Sequence, residues 1–382
     1  MTNVSKIISI YAADTSGVCS ALYELGGMTV VHDASGCNST YSTHDEPRWY
    51  DKNSMIYISA LTETDAIMGN DQKLIDDICS AAKELAPAFI ALCGSPMPAM
   101  TGTDMNFAAE EIALVTGIKT FAIDTNGTHS YLYGAGQAFA KIAGNFCTER
   151  KKTDKMSVNI LGATPLDFSL NGSIESIKKW LCENGFSVKT CFAMGSDLSE
   201  ISHAPEAQVN LVISSSGIPT AKYFYDRFGI PFVTGVPIGK SFSETLAQNL
   251  KTAVKTGKCL FPASERISSD NGFIVTGESV YASSLAAAVT KDLSMPVKVL
   301  STVSDSDDRT LAKGDIICRS EDELEREFEK ASLVIADPLF SPICPKGRFS
   351  ALPHEAFSGR CFSKSIPNLI NADISGLLTQ GG

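Results

Sequence analysis

Short apolar runs of strand character alternate with helical patterns along this chain, and the alternation restarts twice. Met28–His32, Phe89–Leu92 and Ile118–Ile123 read as strands that end in glycine-rich or polar loops. Between the first two, Gln72–Leu85 sets Leu74, Ile75, Ile78, Ala82 and Leu85 on one helical face. Lys151-Lys-Thr-Asp-Lys155 is a polar break. The pattern then resumes with strands at Ser157–Leu161, Phe186–Phe192, Asn210–Ile213 and Ile230–Val233, and helices at Ile174–Asn184 and Ala221–Phe228. Gly185 and Gly229 end those helices. A third set follows Pro262, with strands at Gly272–Val275, Val297–Leu300 and Leu333–Ala336 and helices at Ser279–Leu293 and Leu324–Lys330. Repeated βαβ units predict an α/β fold of parallel sheets with helices on both faces, divided as 1–152, 153–266 and 267–382.

Composition narrows the partners. The chain has 382 residues, too many for one ordinary core. Its 43 acids against 32 bases leave a net charge of −11, and no basic stripe runs along it, so nucleic acid is not expected as a partner. The first residues lack the apolar stretch of a signal peptide, and no run of eighteen apolar residues would cross a membrane; a cytoplasmic location is expected.

Eleven cysteines are many for such a chain, and none forms a CxxC pair. Reduced thiols are the expected state, packed as small hydrophobes or bound to metal. The packed reading suits Cys79, Cys147 and Cys182 on apolar helical faces and Cys191 within a strand. Cys19, Cys37 and Cys93 differ, because they neighbour Gly17, Gly36 and Gly94 in segments that read as loops. Cys37 and Cys93 follow strands, at the carboxyl edge where parallel sheets bind ligands. Soft thiolates there select an iron–sulfur cluster, zinc or copper(I), and glycine neighbours leave room for a bulky inorganic group.

These segments carry a resemblance. Gly17–Tyr41, with His32-Asp-Ala-Ser-Gly36-Cys37, resembles the cluster-binding loops of nitrogenase component 1 subunits. Thr64–Leu74, Cys93-Gly-Ser-Pro-Met-Pro-Ala-Met-Thr-Gly102-Thr-Asp104, Asp124-Thr-Asn-Gly127 with Gly134, Tyr225–Phe232 and Pro353–Gly359 are similar to later elements of the same family, in the same order. The resemblance implies three Rossmann-like doubly wound domains. It implies an iron–sulfur cluster, 4Fe-4S or a larger one shared between subunits, held by Cys19, Cys37 and Cys93 with Gly17, Gly36 and Gly94 beside them. It also implies a homodimer or a heterodimer with a paralogous subunit, and electrons delivered by an iron-protein-type ATPase reductase. The stretch Ile213-Ser-Ser-Ser-Gly217 lacks the cysteine that anchors the molybdenum–iron cofactor in nitrogenase catalytic subunits, so dinitrogen is not the expected substrate.

Other features are weaker. Gly235-Val-Pro-Ile-Gly239-Lys240-Ser241 imitates a phosphate-binding loop, but has three residues between its glycines where that motif needs four, and Pro237 removes a donor. The resemblance would have this loop line a substrate cavity, with Lys240 meeting an anionic group. His354 is a candidate for substrate contact or proton delivery. Cys344 and Cys361 flank it at wide spacing, and His32 and His44 are candidates either to deliver protons or to cap loops. The acidic helix around Glu321–Lys330 reads as a solvated face.

The sequence thus points to an oxidoreductase subunit that relays electrons through a cluster. A scaffold for metal-cofactor assembly is the alternative within the family, and a small-molecule binding protein without a cluster is the alternative outside it.

Overall fold

The computed structural model describes residues 6–378 except 12, 35–45, 150, 154–155, 271, 304 and 306. Its described residues form three all-parallel sheets. The first holds β1 (Met28–His32), β2 (Met55–Ile58), β3 (Ile90–Gly94) and β4 (Thr120–Ile123), in the order β2-β1-β3-β4. Around it lie α1 (Asp14–Leu22), α2 (Glu63–Met68), α3 (Asp71–Leu85), α4 (Pro96–Thr101), α5 (Met105–Thr116) and α6 (Tyr131–Phe146). Side chains alternate across the sheet. Val31, Phe89, Ala91, Cys93, Phe121 and Ile123 join one core with residues of α1 and α6, while Met28, Val30, Ile90, Leu92 and Ala122 join the core of α3 and α5.

The second sheet repeats this order as β6-β5-β7-β8, from β5 (Ser157–Leu161), β6 (Ser187–Cys191), β7 (Val209–Val212) and β8 (Phe232–Thr234). Its helices are α7 (Pro165–Phe168), α8 (Ser173–Glu183), α9 (Leu198–Ser202), α10 (Ile218–Phe228) and α11 (Ser241–Thr256). The third sheet runs β11-β10-β9-β12-β13, from β9 (Phe273–Gly277), β10 (Val297–Ser301), β11 (Ile316–Ile317), β12 (Leu333–Ala336) and β13 (Phe349–Ala351). It carries α12 (Ser279–Leu293), α13 (Glu321–Phe328) and α14 (Glu355–Ser358).

In each sheet the strand order reverses at one point: between β1 and β3, between β5 and β7, and between β9 and β12. The loops leaving the carboxyl ends there diverge and open a crevice, which is where such sheets hold ligands. The second and third sheets bring their crevices together. The Ser215 backbone N–H donates to Glu278 Oε1 at 3.0 Å, and the Ser215 and Ser279 hydroxyls lie 2.7 Å apart. Among the described residues no helix is long and apolar enough to cross a membrane.

Several expectations need correction. Cys19 lies inside α1 and Cys93 inside β3, not in loops. An ideal Cβ on Gly17 would sit 1.8 Å from the Tyr131 carbonyl oxygen, and one on Gly134 would sit 1.9 Å from that of Asp14. The bare backbone at Gly17 therefore serves the tight crossing of α1 and α6. Cys182 is exposed on α8, not packed.

Candidate functional site

At the first crevice, α1 lies over the sheet face that carries Cys93. Cys19 and Cys93 are both buried in the core shared by α1, α6 and the first sheet. Cys93 Sγ lies 3.7 Å from the Val30 carbonyl oxygen, as a weak donor to it. Burial pushes the Cys19 thiol up to about 12, with the Glu46 carboxylate adding to it. Burial also holds Cys93 far above the ordinary thiol range, and Cys19 is close enough that a charge on it adds to the effect. Two soft donors thus share one core beneath the end of the first sheet. Cys37 and Gly36 lie outside the described residues, as does His44. Gly94 ends β3, its N–H donating to Thr125 Oγ1 at 2.9 Å. His32 ends β1, with Nδ1 2.7 Å from the Ser59 hydroxyl, and burial lowers its pKa.

The segment after residues 35–45 is tied down by a buried arginine. Arg48 Nε donates to Glu46, and Nη1 donates to Glu24 Oε1 at 3.2 Å and to the Ala193 carbonyl at 2.7 Å. Nη2 donates to the Ser20 carbonyl on α1 at 2.8 Å. One side chain therefore links the first sheet's helix to the second sheet.

Where the second and third crevices meet, titratable groups gather that, His354 apart, no sequence motif announces. Asp167 projects from α7, just past the end of β5. Glu278 and Asp337 stand at the ends of β9 and β12. Together with His354, Thr276, Tyr281 and Phe357 they line a chamber of about 20 Å³. Tyr131 donates its hydroxyl proton to Asp167 Oδ1 at 2.7 Å, and His354 Nε2 lies 3.5 Å from the same oxygen. Asp167 Oδ2, His354 Nε2 and Thr276 Oγ1 are buried with no hydrogen-bond partner. Burial, reinforced by the Glu278 charge, pushes Asp167 up to about 7, against the lowering effect of the Ser214 and Tyr131 hydroxyls. Burial also raises Glu355 to about 7 and lowers His354 to about 4. One sequence signal does mark Asp167: it is a lone acid in the apolar loop Leu161-Gly-Ala-Thr-Pro-Leu-Asp167, one turn beyond a buried strand.

A larger cavity of about 330 Å³ lies nearby and shares Phe357 with the chamber. Tyr11, His129, Ser130, Tyr131 and Thr302 also line it. Lys240 lines neither cavity, contrary to expectation. It sits exposed at the start of α11, where its N–H and that of Ser241 donate to the Asp292 carboxylate at 2.9 and 3.0 Å. That carboxylate occupies the position a phosphate would take at this helix end, so the imitation phosphate loop is a capped turn. Among the described residues no three histidine, cysteine or acidic side chains form a metal-type group, so Cys344 and Cys361 build no such site with His354.

The fold and its crevices define a three-sheet, doubly wound α/β protein, and comparison with known proteins gives its family. The family model "Nitrogenase component 1 type Oxidoreductase" matches residues 17–336, and this chain belongs to that family. A subunit of light-independent protochlorophyllide reductase from Nostoc punctiforme is 25% identical over 181 residues, covering 45% of this chain and 36% of the relative. The corresponding subunit from Leptolyngbya boryana is 28% identical over 183 residues, again covering 45% of this chain and 36% of the relative. The matched region thus spans about a third of the length of these relatives. The solved structure "Nitrogenase Cp1 at pH 5" superposes with a TM-score of 0.67 at 15% identity, over 100% of this chain and 88% of that one, which establishes the shared fold.

Proposed function

We propose that this chain is an oxidoreductase subunit that holds an iron–sulfur cluster on Cys19, Cys37 and Cys93 and passes electrons to a substrate other than dinitrogen. What supports the reading is that Cys19 and Cys93 share one buried core under the first sheet's crevice, close enough for a charge on one to act on the other. The donor set suits iron: soft sulfur in a dry, apolar setting. A bound cluster would supply one-electron transfer. The protein's share is to bury it, exclude water and orient its ligands. Arg48 would do part of this, since it ties residues 46–48 to α1.

The reading extends to partners. Ile67 and Met68 on α2 and Met97 and Met100 on α4 are exposed apolar side chains beside the Cys93 end of the first sheet. α2 and α4 touch, so they form one patch. A second component 1-type subunit, identical or paralogous, would cover it, and an ATPase reductase would supply electrons in the cytoplasm. In this role the larger cavity and the chamber by His354 would take the substrate, with His354 contacting it and Lys240 left outside.

The test is anaerobic purification of the full chain with iron and sulfide analysis and low-temperature EPR. Stoichiometric iron with a cluster signal, and catalytic reduction once electrons are supplied, is the expected result. Iron without turnover points instead to a cofactor-assembly scaffold. A folded protein that takes up no iron points to a small-molecule binding protein.

A further inference from the structure

We infer that Asp167 is the proton donor of the chamber between the second and third sheets, acting on the reacting end of a bound molecule that His354 holds. The inference rests on the reductase reading, because a substrate that gains electrons must also gain protons, and a cluster supplies only the electrons.

Every group facing Asp167 has a distinct part. Glu278, at the start of α12, is committed as an acceptor. Its Oε1 takes the Ser215 and Val280 N–H groups and its Oε2 that of Tyr281. Asp337 is committed likewise, to the Leu339 and His354 N–H groups and the Ser358 hydroxyl. Glu355 Oε2 accepts from Ser169, and this acid is not among the chamber's lining residues. Asp167 alone among the chamber acids keeps an oxygen with no partner, on a side chain only 1% exposed. At the cap of α14, His354 Nδ1 accepts the Ala356 N–H at 3.3 Å. In the neutral ring the proton then sits on Nε2, the unpartnered nitrogen. Nε2–H is therefore a donor in the chamber lining, 3.5 Å from Asp167 Oδ1 and without a hydrogen-bond partner, suited to a carbonyl or imine group. Tyr131 on α6 and Ser214 after β7 complete the surround.

In the step, the Asp167 O–H bond breaks and a bond from that hydrogen to the acceptor atom forms. The electron pair stays on the carboxylate, and the Tyr131 hydroxyl, already donating to Oδ1, stabilises the charge. Burial and the Glu278 charge raise the acid to about 7, so a large share of it still carries its proton near neutral pH. At about 20 Å³ the chamber admits an atom or two, so the ligand enters by one end.

Two measurements test this. In the cluster-free full chain carrying carboxyl-labelled aspartate, infrared spectra stepped through neutral pH should include a protonated aspartate band that titrates and belongs to Asp167, beside any from Asp14 and Asp337, which burial also raises. The Asp167 band should vanish in Asp167→Asn and move to lower pH in Glu278→Gln, whose amide oxygen can keep the helix cap. Absence of any aspartate band titrating near neutrality overturns the inference. In the iron-loaded chain, with dithionite as reductant and a small aliphatic aldehyde as probe, Asp167→Asn should slow turnover roughly 100-fold and abolish its pH dependence at unchanged iron. Asp167→Glu should restore part of the rate. A wild-type rate in Asp167→Asn overturns the inference. The two readings fail separately: an iron-free chain with the titration intact removes only the electron relay, and an iron-loaded chain without it removes only the acid.

Discussion

At the residue scale, burial sets the chemistry of Asp167. Its carboxyl group titrates near 3.8 when exposed and near 7 in the fold. Between those values the native chain binds more protons than the unfolded chain, so this group's stabilising contribution falls as pH rises through that window. Glu355 acts in the same sense, from 4.5 to about 7. His354 opposes them: its pKa falls from 6.5 to about 4, so its contribution is lost as pH drops through that range. Thermal melts of Asp167→Asn between about pH 4 and about pH 7 should therefore lose less stability with rising pH than wild type. Parallel slopes would show that the carboxyl is not proton-loaded. Arg48 makes a second residue-scale case. Replacing it with Met takes the Arg48 cation from the buried Glu46 carboxylate, while Glu24 keeps Lys52 at 2.6 Å, and a cost of about 3–5 kcal/mol is expected. Chemical denaturation measures that loss, and a change below about 1 kcal/mol would mean that the carboxylates find other partners.

At the element scale, α1 ties the two sites together. It contains Cys19, packs along α6, and touches α7, which carries Asp167. The α1–α6 crossing depends on Gly17, whose α-carbon faces the Tyr131 carbonyl. Gly17→Ala must push the helices apart, and a melting-temperature loss equivalent to about 1–3 kcal/mol is expected, with Tyr131 displaced from Asp167. An unchanged melt would show that the crossing is loose. The buried parallel strands are legible in sequence because nothing but apolar periodicity defines them: Met28–His32, Ser157–Leu161 and Leu333–Ala336 fall where the pattern puts them. β2 is not, because Met55-Ile-Tyr-Ile58 is a short, half-exposed edge strand with a weak pattern. Cys19 reads as a loop residue because Gly17 signals a turn locally, and only the tertiary crossing makes it helical. Asp167, Tyr131 and Glu278 escape for a related reason. They come from different sheets and acquire their chemistry only when three crevices pack, a relation no local motif carries.

Across the whole molecule, three sheets each reverse their strand order at one point, and titratable groups collect near those points. The core beneath the first crevice holds Cys19 and Cys93; the second and third crevices gather an acid whose pKa burial raises, an imidazole whose pKa burial lowers, and a cavity wall of hydroxyls. Under the proposed function, electrons would enter at the first and protons would be held at the others, a division of labour suited to reduction. The account depends most on the sulfur site. Iron should therefore be counted, after anaerobic reconstitution of the full chain, in Cys19→Ala, Cys37→Ala, Cys93→Ala and Cys79→Ala. Each of the first three should lose its cluster EPR signal and most of its iron while remaining folded, and Cys79→Ala, altered in the separate core of α3 and α5, should keep both. Full iron and an unchanged signal in Cys19→Ala or Cys93→Ala would contradict the account.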